Sequence, residues 1–156
     1  MLPTFQRILV PVDFSPSSKS AVACALSLAE RYQATVHLLH TWELPVPLRP
    51  DLMVGSGNVQ ASLEEHARLE SERCMREFLF DMELTARKGI SSEVREGTAQ
   101  SVILGTAEAK QIDLIVMGTH GRTGLSRLML GSVAEKVVRY AGCPVLTVHA
   151  PAQDPG

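Results

Sequence analysis

The sequence predicts a single α/β domain built on a parallel sheet, and three observations predict it. Short apolar runs recur along the chain, stretches of helical period lie between them, and glycine or serine turns separate the two. That alternation is the pattern of strands joined by right-handed helical crossovers. A length of 156 residues suits one core, with residues 1–150 forming the domain and 151–156 a polar tail.

The first strand is Ile8-Leu9-Val10-Pro11-Val12, nearly continuous in apolar residues and ending at Asp13, as expected for a strand buried on both faces. Proline cannot donate to a sheet ladder, so Pro11 belongs near the strand's end. Ser15-Pro16 reads as an N-cap followed by proline at the first helical position. The helix after it presents Val22, Ala25, Leu26 and Ala29 on one face. A second strand runs through residues 35–41, with Trp42 behind it.

Residues 42–58 carry three prolines and two glycines without a period and are expected to form the longest loop. From about 59 to 88 charges dominate, with Arg68/Glu72, Glu72/Arg76 and Arg73/Glu77 spaced i,i+4 beside an apolar stripe of Met75, Phe78, Leu79 and Met82. This predicts one long amphipathic helix. Gly89, after Arg87 and Lys88, is its expected stop. Met75 and Met82 are assigned to the core.

Residues 90–96 are polar and alternate weakly, as suits an edge strand. A helix over about 99–110 leads to Asp113-Leu114-Ile115-Val116-Met117-Gly118, a second buried strand, placed centrally. A glycine-rich turn, a helix to about Tyr140 and a last strand through residues 144–149 complete five strands.

Composition narrows the function. Fifteen Lys plus Arg against 17 Asp plus Glu give a net charge of -2, so no basic surplus serves a nucleic-acid backbone. Aromatic residues make up 4%, too few for base-stacking platforms. Cys24, Cys74 and Cys143 are odd in number and widely spaced, which suits free thiols rather than disulfides or a zinc site. The first apolar run, broken by Arg7 and Asp13, does not read as a signal peptide, and no segment approaches a membrane span. A cytoplasmic protein, without membrane or nucleic-acid partner, is expected. His37 and His40 lie at odd spacing on one strand and point to opposite faces, against a shared metal.

In an open parallel sheet, ligands bind beyond the carboxyl ends of the strands, where strand order reverses. The two most apolar strands end in Asp13 and in Met117-Gly118, so these should face one crevice. The turn after Gly118 runs Thr119-His120-Gly121-Arg122 and closes at Gly131-Ser132. Small residues let backbone amides approach an anion, and Gly131-Ser132 opens a helix whose positive end suits phosphate. His120 and Arg122 are candidates to meet the same phosphates, against a reading as solvated loop side chains. The run contains neither G-x-x-x-x-G-K-[ST] nor G-x-G-x-x-G after a strand.

The spacing G-x2-G-x9-G-S after a D-L-I-V-M strand resembles the ATP-binding signature of the universal stress protein family. The opening Ile8-Leu9-Val10-Pro11-Val12-Asp13, the second strand Val36-His37-Leu38-Leu39-His40 and the closing Gly142-Cys143-Pro144-Val145-Leu146-Thr147-Val148 are similar to the family's first, second and last strands. The resemblance implies a three-layer domain with a five-stranded parallel sheet of order 3-2-1-4-5, of the adenine nucleotide alpha hydrolase-like kind. It implies that Pro11, Val12 and Asp13 line a nucleotide pocket, Asp13 near the ribose or a metal carried by the nucleotide, Mg or Mn. Gly118, Gly121, Gly131, Ser132 and Val133 would wrap ribose and phosphates, with Met117 beside them. The adenine-contacting position, usually aliphatic in the family, is Thr41. Phe14 stands where many members carry glycine.

The leading expectation is therefore an ATP-binding universal stress protein, a nucleotide-dependent switch with slow or no hydrolysis and an unidentified protein partner. The resemblance further implies a homodimer through the last strand, Val145 to Val148. No nucleophile and base pair is legible in the glycine-rich region, so a nucleotide hydrolase or nucleotidylyl transferase is the alternative rather than the first reading. A dimeric interaction module that needs no nucleotide is the third.

Overall fold

The computed structural model describes residues 4–45, 51–56, 59–120 and 129–151. The central strand β1 (Arg7–Pro11) buries Ile8, Leu9 and Val10 completely. It pairs in parallel with β2 (Thr35–Trp42) on one side and with β6 (Leu114–Gly118) on the other. β5 (Ile90–Glu96) lies outside β2 and β7 (Val145–Val148) outside β6, giving the order β5-β2-β1-β6-β7. Counted within this sheet alone, the strands follow 3-2-1-4-5. Strand order reverses between β1 and β6, the pair whose apolarity marked them as central. The polar strand β5 is an edge, and Pro11 closes β1, past which the Val12 amide still donates to the Leu39 carbonyl at 2.8 Å.

Strand alternation divides the core into two layers. Ile8, Val10, Val36, Leu38, Leu114 and Val116 pack with Val22 and Ala25 of α1 (Pro16–Tyr32) and with Met75 and Phe78 of α2 (Leu63–Asp81). The opposite face sends Leu9, Leu39, Ile115 and Met117 against Ile103 and Ala107 of α3 (Ala99–Ala109) and Ala134 and Val137 of α4 (Ser132–Tyr140). Helices thus cover both faces of a parallel sheet, the arrangement such sheets need to keep their strands from water. The two strand histidines part as the spacing requires. His37 receives or donates hydrogen bonds at Ser91 Oγ (2.7 Å) and Glu93 Oε1 (2.9 Å), tying β2 to the edge strand, and His40 Nδ1 lies 2.8 Å from the Val12 carbonyl on the other face. The three cysteines are free.

Two expectations are corrected. The stretch read as one long loop and the start of a helix holds an antiparallel hairpin, β3 (Met53–Ser56) and β4 (Val59–Ser62), so the described residues form two strands beyond the parallel five. The helix begins only at Leu63, where the Ser62 hydroxyl accepts from the Glu65 amide at 3.1 Å. It also stops early, at Asp81, and Gly89 merely precedes β5 in a left-handed conformation (φ 78°). The true stop is Glu83, itself left-handed at φ 56°. Its amide donates to the Phe80 carbonyl at 3.0 Å, and the Leu84 amide to the Leu79 carbonyl at 2.8 Å. These two bonds form a Schellman motif, and burial of the Leu84 side chain holds it in place. Within α2, Arg68 pairs with Glu72 and Arg73 with Glu77 as spaced; Arg73 also binds Glu70, and Glu72 is taken by Arg68 rather than Arg76.

Candidate functional site

Beyond the carboxyl ends of β1, β2 and β6 lies a cavity of about 300 Å³, at the small end of the range of ligand pockets. Each sequence-singled residue that falls in the described part of the chain reaches it: Pro11, Val12, Asp13 and Thr41 from the β1 and β2 ends, and Met117, Gly118 and His120 from β6 and its turn. Gly131, Ser132 and Val133 line it from the start of α4. Gly121 and Arg122 lie outside the described residues.

The first turn of α1 holds Asp13 rigidly. Phe14 adopts φ 66°, which swings the chain so that the Ser15 amide donates to Asp13 Oδ1 at 3.0 Å; the Ser18 hydroxyl donates to the same oxygen at 3.0 Å. Positive φ is where glycine costs least, so a phenylalanine there is strained. Here the Phe14 ring offsets the strain by packing, 4.3 Å from the His40 ring centre and 5.5 Å from that of Phe78. The Ser15 hydroxyl accepts from the Ser18 amide at 3.2 Å, so this helix start is capped as the sequence indicated.

The other two helices that open on the cavity are different. At α4 the N-cap is Gly131, and at α3 it is Thr98 without a side-chain cap hydrogen bond. First-turn amides of an uncapped helix lack intrahelical acceptors and carry the positive end of the dipole. Ser132, Val133 and Ala134 all border the cavity, so that positive end, with the Ser132 hydroxyl, is turned toward it. The floor is apolar, made by Pro11, Leu39, Ile103 and Met117, with the Thr41 hydroxyl beside it. The same cavity thus joins apolar side chains, which suit a flat apolar group, to a helix N-terminus, which suits an anion.

Gly118 serves packing first. A β-carbon there would sit 2.6 Å from Ser17 Cβ and 3.0 Å from the Ser17 carbonyl carbon, so the glycine lets β6 touch α1. Its neighbour Thr119, 2% exposed, donates its amide to the Val148 carbonyl at 3.0 Å and accepts from the Gly131 amide at 2.7 Å. Sequence reasoning passed over Thr119, Ser15, Ser18, Leu39, Ala99, Ile103 and Ala134, which also line the cavity. Period arithmetic would have found two of them: Leu39 shares a strand face with Thr41, and Ile103 lies one helical turn from Ala99. As for a metal, the described residues hold no group of three His, Cys, Asp or Glu side chains that could bind one. Asp13 alone suits a cation that arrives already bound to a ligand's phosphates.

The doubly wound sheet, with a crevice at its switch point lined by an open helix end and a fixed carboxylate, defines an α/β domain. This chain belongs to the universal stress protein family, whose sequence profile matches residues 4–149. It is 33% identical over 150 residues to universal stress protein MJ0531 of Methanocaldococcus jannaschii, covering 96% of this chain and 85% of that protein. To universal stress protein YxiE of Bacillus subtilis it is 34% identical over 148 residues, covering 93% and 99%. Among solved structures, that of MJ0577 superposes with a TM-score of 0.70 at 25% identity, covering 97% of this chain and 100% of that one. A universal stress protein in complex with cAMP shares the fold, with a TM-score of 0.65 at 22% identity and coverage of 95% and 99%. No helix among the described residues is long and apolar enough to cross a membrane.

Proposed function

We propose that this chain binds ATP, or a related adenine nucleotide, in the cleft at the carboxyl end of the sheet, and that it acts as a nucleotide-dependent switch in a cytoplasmic stress response. The observation that carries the reading is that the uncapped start of α4, Asp13 and the apolar side chains of Pro11, Leu39, Ile103 and Met117 line one cavity. A purine fits the floor of Pro11, Leu39, Ile103 and Met117, and Thr41 offers one hydroxyl to a ring nitrogen or exocyclic amine. The α4 amides and the Ser132 hydroxyl suit the phosphates. A triphosphate beside the Asp13 carboxylate is repulsive unless a cation joins them, so Mg or Mn carried by the nucleotide would be held between Asp13 and phosphate oxygens. The complex of a like-folded universal stress protein with cAMP supports the adenine class.

A switch requires no bond breaking, and slow or absent hydrolysis is part of this reading. Nucleotide that binds one conformer stabilises it by about 2.7 kcal/mol at a hundredfold excess over Kd, enough to change which surface meets a protein partner. The surface proposed for self-association is the β7 edge, where Leu146 is exposed and the neighbouring α4 exposes Val138 and Tyr140. Two chains meeting there would cover an unpaired strand edge.

Isothermal titration of nucleotide-stripped protein with Mg-ATP tests the reading. Saturable binding that weakens when the cation is chelated is expected, and no binding at millimolar Mg-ATP overturns it. Leu146→Asp should shift the mass in solution from dimer to monomer; an unchanged mass would sink the proposed interface.

A further inference from the structure

At the carboxyl ends of β6 and β7, Thr119 Oγ1 lies 3.0 Å from His120 Nδ1 and also 3.0 Å from His149 Nδ1. The two ring centres are 6.2 Å apart. Main-chain bonds on both sides, to Val148 and Gly131, fix Thr119 in place, so its buried hydroxyl has little freedom to leave the two rings.

A hydroxyl carries one proton and can accept from two donors. It can therefore donate to only one of the two Nδ1 atoms, and the other must bring its own proton. When both rings are neutral, they are forced into opposite tautomers, one with Nδ1–H and one with Nε2–H. When one ring is an imidazolium, it donates Nδ1–H to Oγ1, and Oγ1–H donates to the other ring; every atom is still matched. When both are imidazolium, both donate, the threonine proton loses its acceptor between them, and two like charges face each other. The cluster accommodates one added proton and resists a second.

We propose that His120, Thr119 and His149 form a proton-linked anion site in the cleft, which takes up one proton as a ligand's phosphate group binds. The proposal rests on the nucleotide reading, because His120 lines the same cavity as Gly131 and Ser132. His120 meets the anion; Thr119 and exposed His149 are positioning residues that fix its tautomer and share the charge. Asp13 and the open start of α4 line the same cavity as His120. A phosphate against α4 brings negative charge to the cluster, and an added proton on the rings accompanies its binding. The charged groups on the adjoining helices are solvent-exposed: Lys19, Glu30 and Arg31 on α1, and Lys136 with the Glu135–Arg139 pair on α4. By linkage, a site that gains a proton with its ligand binds more tightly as pH falls through the histidine range, by at most tenfold per pH unit for one proton.

The test is calorimetric titration of the nucleotide-stripped full chain with Mg-ATP at pH 6.5, 7.2 and 8.0, each in two buffers of different ionisation enthalpy. Uptake approaching one proton is expected near pH 7, with Kd falling several-fold from pH 8.0 to 6.5. Thr119→Ser keeps a hydroxyl and should keep the uptake; Thr119→Val and His149→Gln should lose most of it and flatten the pH dependence. Binding with no buffer-dependent heat, or uptake unchanged in both Thr119→Val and His149→Gln, overturns this inference and leaves the nucleotide reading standing. No binding of Mg-ATP at any pH overturns both.

Discussion

The amide of Gly131 donates to the carbonyl of Thr119 at 2.7 Å, joining the start of α4 to the end of β6. Twelve positions of sequence separate the two residues, yet this one bond sets the distance between the strand end and the helix end that face the cavity. Gly131 has φ -60°, a conformation any residue adopts, so backbone strain does not demand glycine there.

Gly131→Leu should accordingly fold normally and fail to bind nucleotide. The backbone tolerates the side chain, while the branched group projects into the space in front of the α4 amides. Under the nucleotide reading, affinity for Mg-ATP falls at least a hundredfold in calorimetry, with an unchanged circular dichroism spectrum. If partner binding responds to nucleotide, it changes too; under a nucleotide-independent reading it does not.

Gly118→Ala should do the reverse, and damage stability before binding. Its β-carbon would meet Ser17 Cβ at 2.6 Å, an atom attached directly to the α1 backbone and unable to swing aside. Overpacking of this kind costs about 1–3 kcal/mol. Urea unfolding should show the midpoint lowered with an unchanged slope.

Three helices end on left-handed residues that are not glycine: Gln33 (φ 56°), Glu83 (φ 56°) and Gln111 (φ 51°). All three side chains are exposed, so replacing each by glycine relieves backbone strain and removes little packing. Stability should rise by about 0.5–1 kcal/mol per site, measured by thermal or urea unfolding. Phe14→Gly is the contrasting case. It relieves the same strain but discards the contacts of a half-buried ring with His40 and Phe78, part of the about 1.5–3 kcal/mol that full burial is worth, so net destabilisation is expected.

On the exposed face of α2, Arg73 binds Glu70 and Glu77, and the guanidinium holds the Glu70 carboxyl below its ordinary range. A carboxyl depressed in the folded state contributes stability above its unfolded pKa and loses it as pH falls through the folded value. Arg73→Ala should return the Glu70 titration toward the usual carboxylate range in a carboxyl-detected NMR experiment. Because the pair is fully exposed, the change in stability should be small and should shrink further in salt.

Much of the fold was legible because its signals are local. Continuous apolar runs marked β1 and β6 as central, polarity marked β5 as an edge, and Ser15-Pro16 marked the start of α1. The end of α2 was not legible, because the chain terminates that helix with Glu83 and a buried Leu84 instead of a glycine, and nothing in the local pattern distinguishes that glutamate from its neighbours. The hairpin was missed for a related reason. Its strands are four residues each, too short for period 2 to stand out, although Gly57-Asn58 between them is a pair of hairpin-turn type.

Asp13, Gly118, Gly131 and Ser132 were picked out from sequence alone and line one cavity, since motifs of this kind are read along the chain. What the sequence could not state is which atoms those residues meet. Gly118 against Ser17, Thr119 between two histidines, and a capped α1 beside an open α4 all arise from register and close approach between segments distant in the chain. Such contacts exist only once the sheet has ordered its strands and the helices have packed upon it.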